Sequence, residues 1–220
     1  MSRAKEEVLE RIHRVGLVPV VRASSATEAL AIAAAIAAGG VTVLEIAMTV
    51  PNAVEVIRTL VRERPELLIG AGTVPDAEAA LICMDAGAEF IVSPSTDVGT
   101  IEFCVRQSLA VLPGALTPTE IVIAWKAGAD AVKVFPVSAM GGARYLRSLK
   151  APLPHIGLVP TGGVSLDTAM EFLAAGAFAL GVGAELADAS AIADGQPEKI
   201  TDTARAYLRV IAEWRAATGS

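Results

Sequence analysis

Ala127-Gly128-Ala129-Asp130-Ala131-Val132-Lys133-Val134-Phe135-Pro136 is the stretch on which the fold turns. An alanine-rich segment ends in Ala-Gly, and an apolar run follows at once. Glycine suits the residue just past a helix, where a positive φ is often needed. The same pattern occurs at Ala38-Gly39-Gly40 before Val41-Thr42-Val43-Leu44, at Ala86-Gly87-Ala88 before Phe90-Ile91-Val92, and at Ala175-Gly176-Ala177 before Phe178-Ala179-Leu180. The glycines Gly39, Gly87, Gly128 and Gly176 are separated by 48, 41 and 48 positions. A βα unit in a compact α/β domain needs roughly half of that. One further strand is therefore expected inside each interval, and one before the first.

Those strands are legible. Gly16-Leu17-Val18-Pro19-Val20-Val21 comes first, and Leu67-Leu68-Ile69-Gly70-Ala71, Leu109-Ala110-Val111-Leu112 and Ile156-Gly157-Leu158-Val159 fill the gaps. Helices are predicted at 25–38, 52–64, 76–86, 98–107, 118–127, 141–149, 166–175 and 197–216, with an extra one at 3–14. Ser25, Ser95-Thr96-Asp97, Thr117-Pro118 and Ser165 supply suitable starts. Short, continuously apolar strands alternating with helices point to a parallel sheet covered by helices. Eight such strands predict a closed (β/α)8 TIM barrel with an extra N-terminal helix, as one domain over 1–220. An open doubly wound sheet is the alternative.

Composition bounds the function. Of 220 residues, 53% are hydrophobic, which excludes a disordered chain. A formal charge of −6 argues against nucleic acid as a partner. No apolar run approaches the roughly 18 residues that span a bilayer. The start, Met1-Ser2-Arg3-Ala4-Lys5-Glu6-Glu7, reads as a charged helix start rather than a signal peptide, and a soluble cytoplasmic protein is expected. Cys83 and Cys104 fall in separate helical segments and read as reduced packing residues.

In a barrel the active site lies at the C-terminal ends of the strands. This chain puts Arg22 after the first strand, Glu45 at the second with Thr49 beyond, and Gly72-Thr73 at the third. Ser93-Pro94 and Pro113-Gly114 end the fourth and fifth. Lys133 and Phe135 lie on the sixth, Thr161-Gly162-Gly163 ends the seventh, and Gly181-Val182-Gly183-Ala184 ends the eighth.

Lys133 stands out, because a lysine is seldom fully buried unless paired or functional. Burial favours the neutral amine of a lysine, and a neutral amine attacks carbonyl carbon. Strand alternation puts Ala131, Lys133 and Phe135 on one face, with Val132 and Val134 turned to the helices. The plainer reading is a snorkelling side chain or a buried partner of Glu45. Glu45 reads either as a counter-ion of Arg22 or Lys133, or as a general acid/base beside the amine. The glycines after the last two strands suit an anion, since loops there often form a phosphate site with a short extra helix. The segment Ala187-Asp188-Ala189-Ser190 is the candidate for that helix. His13 and His155 are placed away from this face, so a histidine-held metal is not expected.

Together, Val43-Leu44-Glu45-Ile46, Gly70-Ala71-Gly72-Thr73-Val74, Phe90-Ile91-Val92-Ser93-Pro94, Leu112-Pro113-Gly114, Val132-Lys133-Val134-Phe135-Pro136 and Pro160-Thr161-Gly162-Gly163-Val164 resemble the 2-keto-3-deoxy-6-phosphogluconate (KDPG) and 4-hydroxy-2-oxoglutarate (KHG) aldolase family, from about residue 8 to 213. The resemblance implies a class I aldolase, usually a homotrimer, without metal or cofactor. Its substrate would be KDPG, cleaved to pyruvate and glyceraldehyde 3-phosphate in Entner-Doudoroff carbohydrate metabolism. KHG and 6-phosphogalactonate relatives are the alternatives. Lys133 would form the imine with the keto carbon, and Glu45 would shuttle protons. Thr73 would help hold the carboxylate, Pro94 and Phe135 would wall the pocket, and Thr161 would lie near the substrate hydroxyl. Gly162, Gly163 and Gly183 would hold phosphate.

Two departures bear on the substrate. Many family members carry an arginine after the second strand, where this chain has Thr49, and Arg22 could supply the charge as a bidentate clamp. Some carry a serine where this chain has Ala184, and its absence favours a smaller substrate such as KHG. Two other readings stand beside the aldolase. One is a phosphate-binding isomerase or synthase using Glu45 as base. The other is a non-catalytic barrel serving as a scaffold. Leu81-Ile82-Cys83-Met84 and Phe103-Cys104 are candidate interface segments, or merely helix undersides.

Overall fold

A computed structural model describes residues 3–219; Met1 and Ser2 of the expected charged start, and Ser220 at the other end, lie outside the described residues. The first half runs α1 (Lys5–Val15), β1 (Leu17–Val21), α2 (Ala26–Ala38), β2 (Val43–Ala47), α3 (Ala53–Glu63), β3 (Leu68–Gly72), α4 (Ala77–Asp85), β4 (Phe90–Val92), α5 (Val98–Arg106) and β5 (Ala110–Leu112). The second runs β6 (Gly114–Ala115), α6 (Pro118–Lys126), β7 (Val132–Val134), a 3₁₀ turn (Val137–Met140), α7 (Ala143–Lys150), β8 (Leu158–Pro160), α8 (Leu166–Ala174), β9 (Leu180–Val182), α9 (Ala189–Ala193) and α10 (Glu198–Thr218).

The repeat has the physical basis its glycines suggest. Gly40, Gly87, Gly128 and Gly176 all take positive φ, between 90° and 102°. In the first copy the left-handed residue is therefore Gly40, not Gly39. Gly39 serves contact instead: a Cβ there would come within 2.5 Å of the Ala204 Cβ on α10. The helix starts are built as their side chains suggest. Ser25 Oγ accepts from the Glu28 N–H, Asp97 accepts from the Thr100 N–H, and Thr117 and Glu120 form a reciprocal capping box.

The expected fifth strand is divided. Proline has no N–H for a ladder, and Pro113 separates β5 from β6. Its carbonyl still accepts from the Lys133 N–H at 2.9 Å. The expected sixth, seventh and eighth strands are consequently β7, β8 and β9. All paired strands run parallel, in the order β5-β4-β3-β2-β1-β9 and, separately, β6-β7-β8. A parallel bridge between Thr161 and Gly181 connects the end of β8 with β9. Because β1 pairs with both β2 and the last strand, the order is not that of a doubly wound sheet.

Two apolar clusters hold this α/β arrangement. The larger lies between strands and covering helices. The smaller gathers Val18, Val43, Leu68, Phe90, Leu112 and Val159 from the strands and Ala131 from just before β7, with Val8 and Ile12 of α1 among them. The apolar face of α1 thus packs against the inward side chains of the strands. Leu81 and Ile82 are exposed on α4, whereas Cys83 and Cys104 are buried and belong to the core. No helix among the described residues is long and apolar enough to cross a membrane.

Candidate functional site

Alternation along β7 sends Lys133 inward, and register brings it beside Gly114 of β6 and Val159 of β8. Glu45 lies at the middle of β2, opposite Val20 and Gly70. The strand continues past Glu45 to Ala47, so the carboxylate lies within the strand rather than at its end. Across the interior, Lys133 Nζ and Glu45 Oε1 stand 3.6 Å apart, with their side chains only 5% and 2% exposed. This is the one ion pair among the described residues with both partners so deeply buried. Glu45 Oε1 has no hydrogen-bond partner among the described residues. A buried carboxylate oxygen without a hydrogen bond is costly, and such groups call for a functional explanation. Lys133 Nζ also lies 5.4 Å from the centroid of the Phe135 ring, within cation–π range.

The other expected residues ring this pair unevenly. Thr73 follows β3 directly, half-buried, with φ at 59°. A β-branched residue in that region is a genuine outlier, and such strain concentrates at functional sites. Pro94 is exposed one residue beyond Ser93, and its carbonyl carbon would lie 2.4 Å from a Cβ added to Gly114. Thr161 is buried, and its hydroxyl donates to the Val159 carbonyl at 3.3 Å. Thr49 is exposed in the loop after β2.

A cavity of about 210 Å³, which neither Lys133 nor Glu45 lines, is bounded by Arg22, Phe135, Thr161, Gly162, Gly163, Gly183 and their neighbours. Phe135 joins the two regions, facing Nζ and lining the cavity. Arg22 is exposed and makes no hydrogen bond or ion pair among the described residues, so its guanidinium is available to an anion. Gly162 and Gly163 have φ of 83° and 86°, and a Cβ at Gly183 would meet nothing within 4 Å. Glycine backbone, with open space at Gly183, shapes this end together with the side chains that line it. The helix after the last strand is α9, Ala189–Ala193, with Asp188 as its cap, slightly later than expected. Larger cavities of about 540 and 330 Å³ lie elsewhere, lined by Arg3, Glu89 and Leu109 in one and by His13, Trp125 and His155 in the other. Leu67, Glu89 and Leu109 precede their strands, on the face that reads as structural in such folds. No cluster of three or more His, Cys, Asp or Glu suited to a metal occurs among the described residues.

Several neighbours escape sequence reasoning. Glu185 lines the same cavity as Arg22, beside Ala184. The 3₁₀ turn after β7 was not expected; its Val137 and Ser138 N–H groups donate to the Thr161 and Gly162 carbonyls at 3.0 and 3.1 Å. Those bonds fix the glycine loop. Only the proximity of Pro136 and the paired Gly141-Gly142 hinted at an interruption there.

The family model described as KDPG and KHG aldolase matches residues 8–203. The 2-dehydro-3-deoxy-phosphogluconate aldolase of Haemophilus influenzae is 33% identical over 174 residues, covering 79% of this chain and 82% of that protein. The KHG/KDPG aldolase of Escherichia coli K12 is 32% identical over 189 residues, covering 86% and 89%. Among solved structures, KDPG aldolase from Legionella pneumophila, with pyruvate captured at low pH as a covalent carbinolamine intermediate, superposes with a TM-score of 0.84 at 27% identity, covering 93% of this chain and 98% of that one.

Proposed function

The chain belongs to the KDPG and KHG aldolase family, and on that premise we propose that Lys133 is the amine that forms a Schiff base with the keto carbon of a 2-keto acid. The protein is a carbon–carbon lyase of the class I pyruvate aldolase type acting on small molecules. The observation that carries the residue-level reading is the buried Lys133–Glu45 pair, 3.6 Å apart, with the near carboxylate oxygen otherwise unpartnered. Before attack, the ammonium must give up a proton, and Glu45 is the nearest acceptor. Nζ then adds to C2 of the substrate, and Glu45 returns its proton to the carbinolamine hydroxyl, which leaves as water to give an iminium and a carboxylate again free to act as base. That iminium draws electrons from the C3–C4 bond as Glu45 takes the proton of the C4 hydroxyl. The aldehyde leaves; the protonated Glu45 gives its proton to C3 of the enamine, and addition of water to the resulting iminium frees pyruvate and the amine.

Thr73 holds the keto-acid carboxylate, Pro94 and Phe135 wall the pocket, and Thr161 meets the C4 hydroxyl in this reading. Arg22 with Gly162, Gly163 and Gly183 receives the far end, here the phosphate of KDPG, so that glyceraldehyde 3-phosphate is the second product of an Entner-Doudoroff reaction. A second reading is favoured by Glu185, an acidic residue that lines the same cavity where a dianion would lie. It argues for an unphosphorylated substrate such as KHG, with the 6-phosphogalactonate analogue as the third member of the set. Comparison of kcat/KM for KDPG and KHG decides between them; Glu185→Gln should favour the phosphorylated substrate.

The same reading takes the chain as one domain over 1–220, a closed eight-stranded barrel with α1 across one mouth. The pairing of β1 with β9, the Thr161–Gly181 bridge and the split at Pro113 support closure. It is also cytoplasmic and homotrimeric, with exposed Leu81, Ile82, Val105 and Ile123 offering apolar surface for subunit contact.

Incubation of the unaltered protein with pyruvate, borohydride reduction and peptide mass spectrometry test the imine. An adduct on Lys133 is expected; an unmodified Lys133 would overturn the proposal. Lys133→Ala should abolish turnover, but it also strands Glu45, at a cost of about 3–5 kcal/mol. Activity of that variant is therefore read beside its circular dichroism.

A further inference from the structure

β2 and β3 are parallel neighbours in which Glu45 pairs with Gly70 and Ala47 with Gly72. The Glu45 side chain leans along the sheet over Gly72. A Cβ built on Gly72 would lie 1.9 Å from Glu45 Oε1, and 2.5 Å from both Cδ and Cγ. Carboxylate and side chain at position 72 therefore compete for one volume. We propose that Gly72 is a positioning residue, whose missing side chain sets where the Glu45 carboxylate stands relative to Lys133 Nζ. This rests on the reading of Glu45 as the proton shuttle.

The alternative, that glycine is present for backbone reasons, has no support at this position. Gly72 lies in a regular strand and is not among the glycines with positive φ. Alanine would fit the backbone there. What must move is the Glu45 side chain from Cγ outward, not backbone, so the strand can survive while the carboxylate is displaced. Gly70, two residues earlier, shows the contrast. A Cβ there would come within 2.4 Å of ring atoms of Phe90, a wholly buried aromatic side chain. The same substitution on the same strand should thus cost stability at position 70 and geometry at position 72. A displacement of about 1 Å at a reacting group can cost on the order of 10²-fold in rate.

Four full-length variants test this: Gly72→Ala, Glu45→Gln, the double variant, and Gly70→Ala. Gln keeps the shape of Glu but not its proton chemistry, so the steric clash is the same in both backgrounds. Gly72→Ala is expected to lower kcat about 10²-fold, to change KM by less than about threefold, and to shift the pH profile of kcat. In the Glu45→Gln background the added Gly72→Ala should change kcat by less than about twofold, the signature of a shared pathway. Equal losses in both backgrounds, or an unchanged kcat for Gly72→Ala alone, would overturn the assignment. So would a greater loss of Tm for Gly72→Ala than for Gly70→Ala, because the carboxylate would then not have yielded. Full activity of Glu45→Gln would instead sink the shuttle reading, and the Gly72 assignment with it.

Discussion

Thr73 combines a left-handed backbone with a β-branched side chain, a pairing that costs on the order of 1–3 kcal/mol. Nothing in the local chain demands it, since glycine at that position would relieve the strain. Its hydroxyl follows directly on the Gly72 that the Glu45 carboxylate overlies. Thr73→Gly is accordingly expected to raise stability by about 1 kcal/mol, after the entropy cost of glycine is subtracted. It should also raise KM for pyruvate, because the proposed carboxylate contact is lost. Thermal melts and steady-state kinetics on one preparation check both, and a lowered Tm would contradict the strain. A strained φ cannot be read from residue types, so Thr73 was legible as a candidate but not as a distorted one. Lys133 was more legible, because a lysine between valines stands against the pattern of a buried strand.

Helix starts carry much of the register of the elements. At α5 the Asp97 carboxylate accepts from the Thr100 N–H at 2.7 Å and from its hydroxyl at 2.6 Å. The Thr100 hydroxyl first, and its N–H second, hold the Asp97 carboxyl below the ordinary carboxylate range. The folded state therefore favours the ionised form. That contribution is present above the unfolded value and is lost as pH falls through the folded one. Asp97→Ala should cost about 1 kcal/mol near neutral pH. The gap to the unaltered protein should narrow below about pH 4, where the carboxyl takes up its proton. Denaturant titrations at both pH values measure this, and a constant gap would exclude the carboxylate as its source. Asp97 was one of three adjacent polar residues suggested as a start, and only the chain's direction into the helix decided among them. The 3₁₀ turn after β7 depends on neighbours distant in sequence, the Thr161 and Gly162 carbonyls that accept its first N–H groups.

Across the molecule, burial alone pushes the Cys83 thiol up to about 11, and burial with the nearby Asp130 charge pushes Cys104 up to about 12. The neutral thiol is favoured in the folded state. This stabilisation is full below the unfolded value of 9.0 and disappears as pH rises through the folded values. Tm should therefore fall between about pH 9 and 12, and less steeply in the double variant Cys83→Ala/Cys104→Ala; identical slopes would exclude the thiols. For the proposed homotrimer, sedimentation should give three times the chain mass, and Ile82→Asp should shift the protein toward smaller species. An unchanged distribution would remove α4 from the interface. The sequence by itself determined the alternation of strands and helices, the helix-ending glycines and the candidacy of Lys133 and Glu45. Those features depend on local periodicity and on the rarity of charge in apolar runs. Tertiary structure decided which strands meet, and hence the 3.6 Å approach of Lys133 to Glu45. It also decided the entry of Glu185 into the cavity lined by Arg22 and the seat that Gly72 leaves for a carboxylate. These are distances between groups far apart along the chain, and only packing sets them.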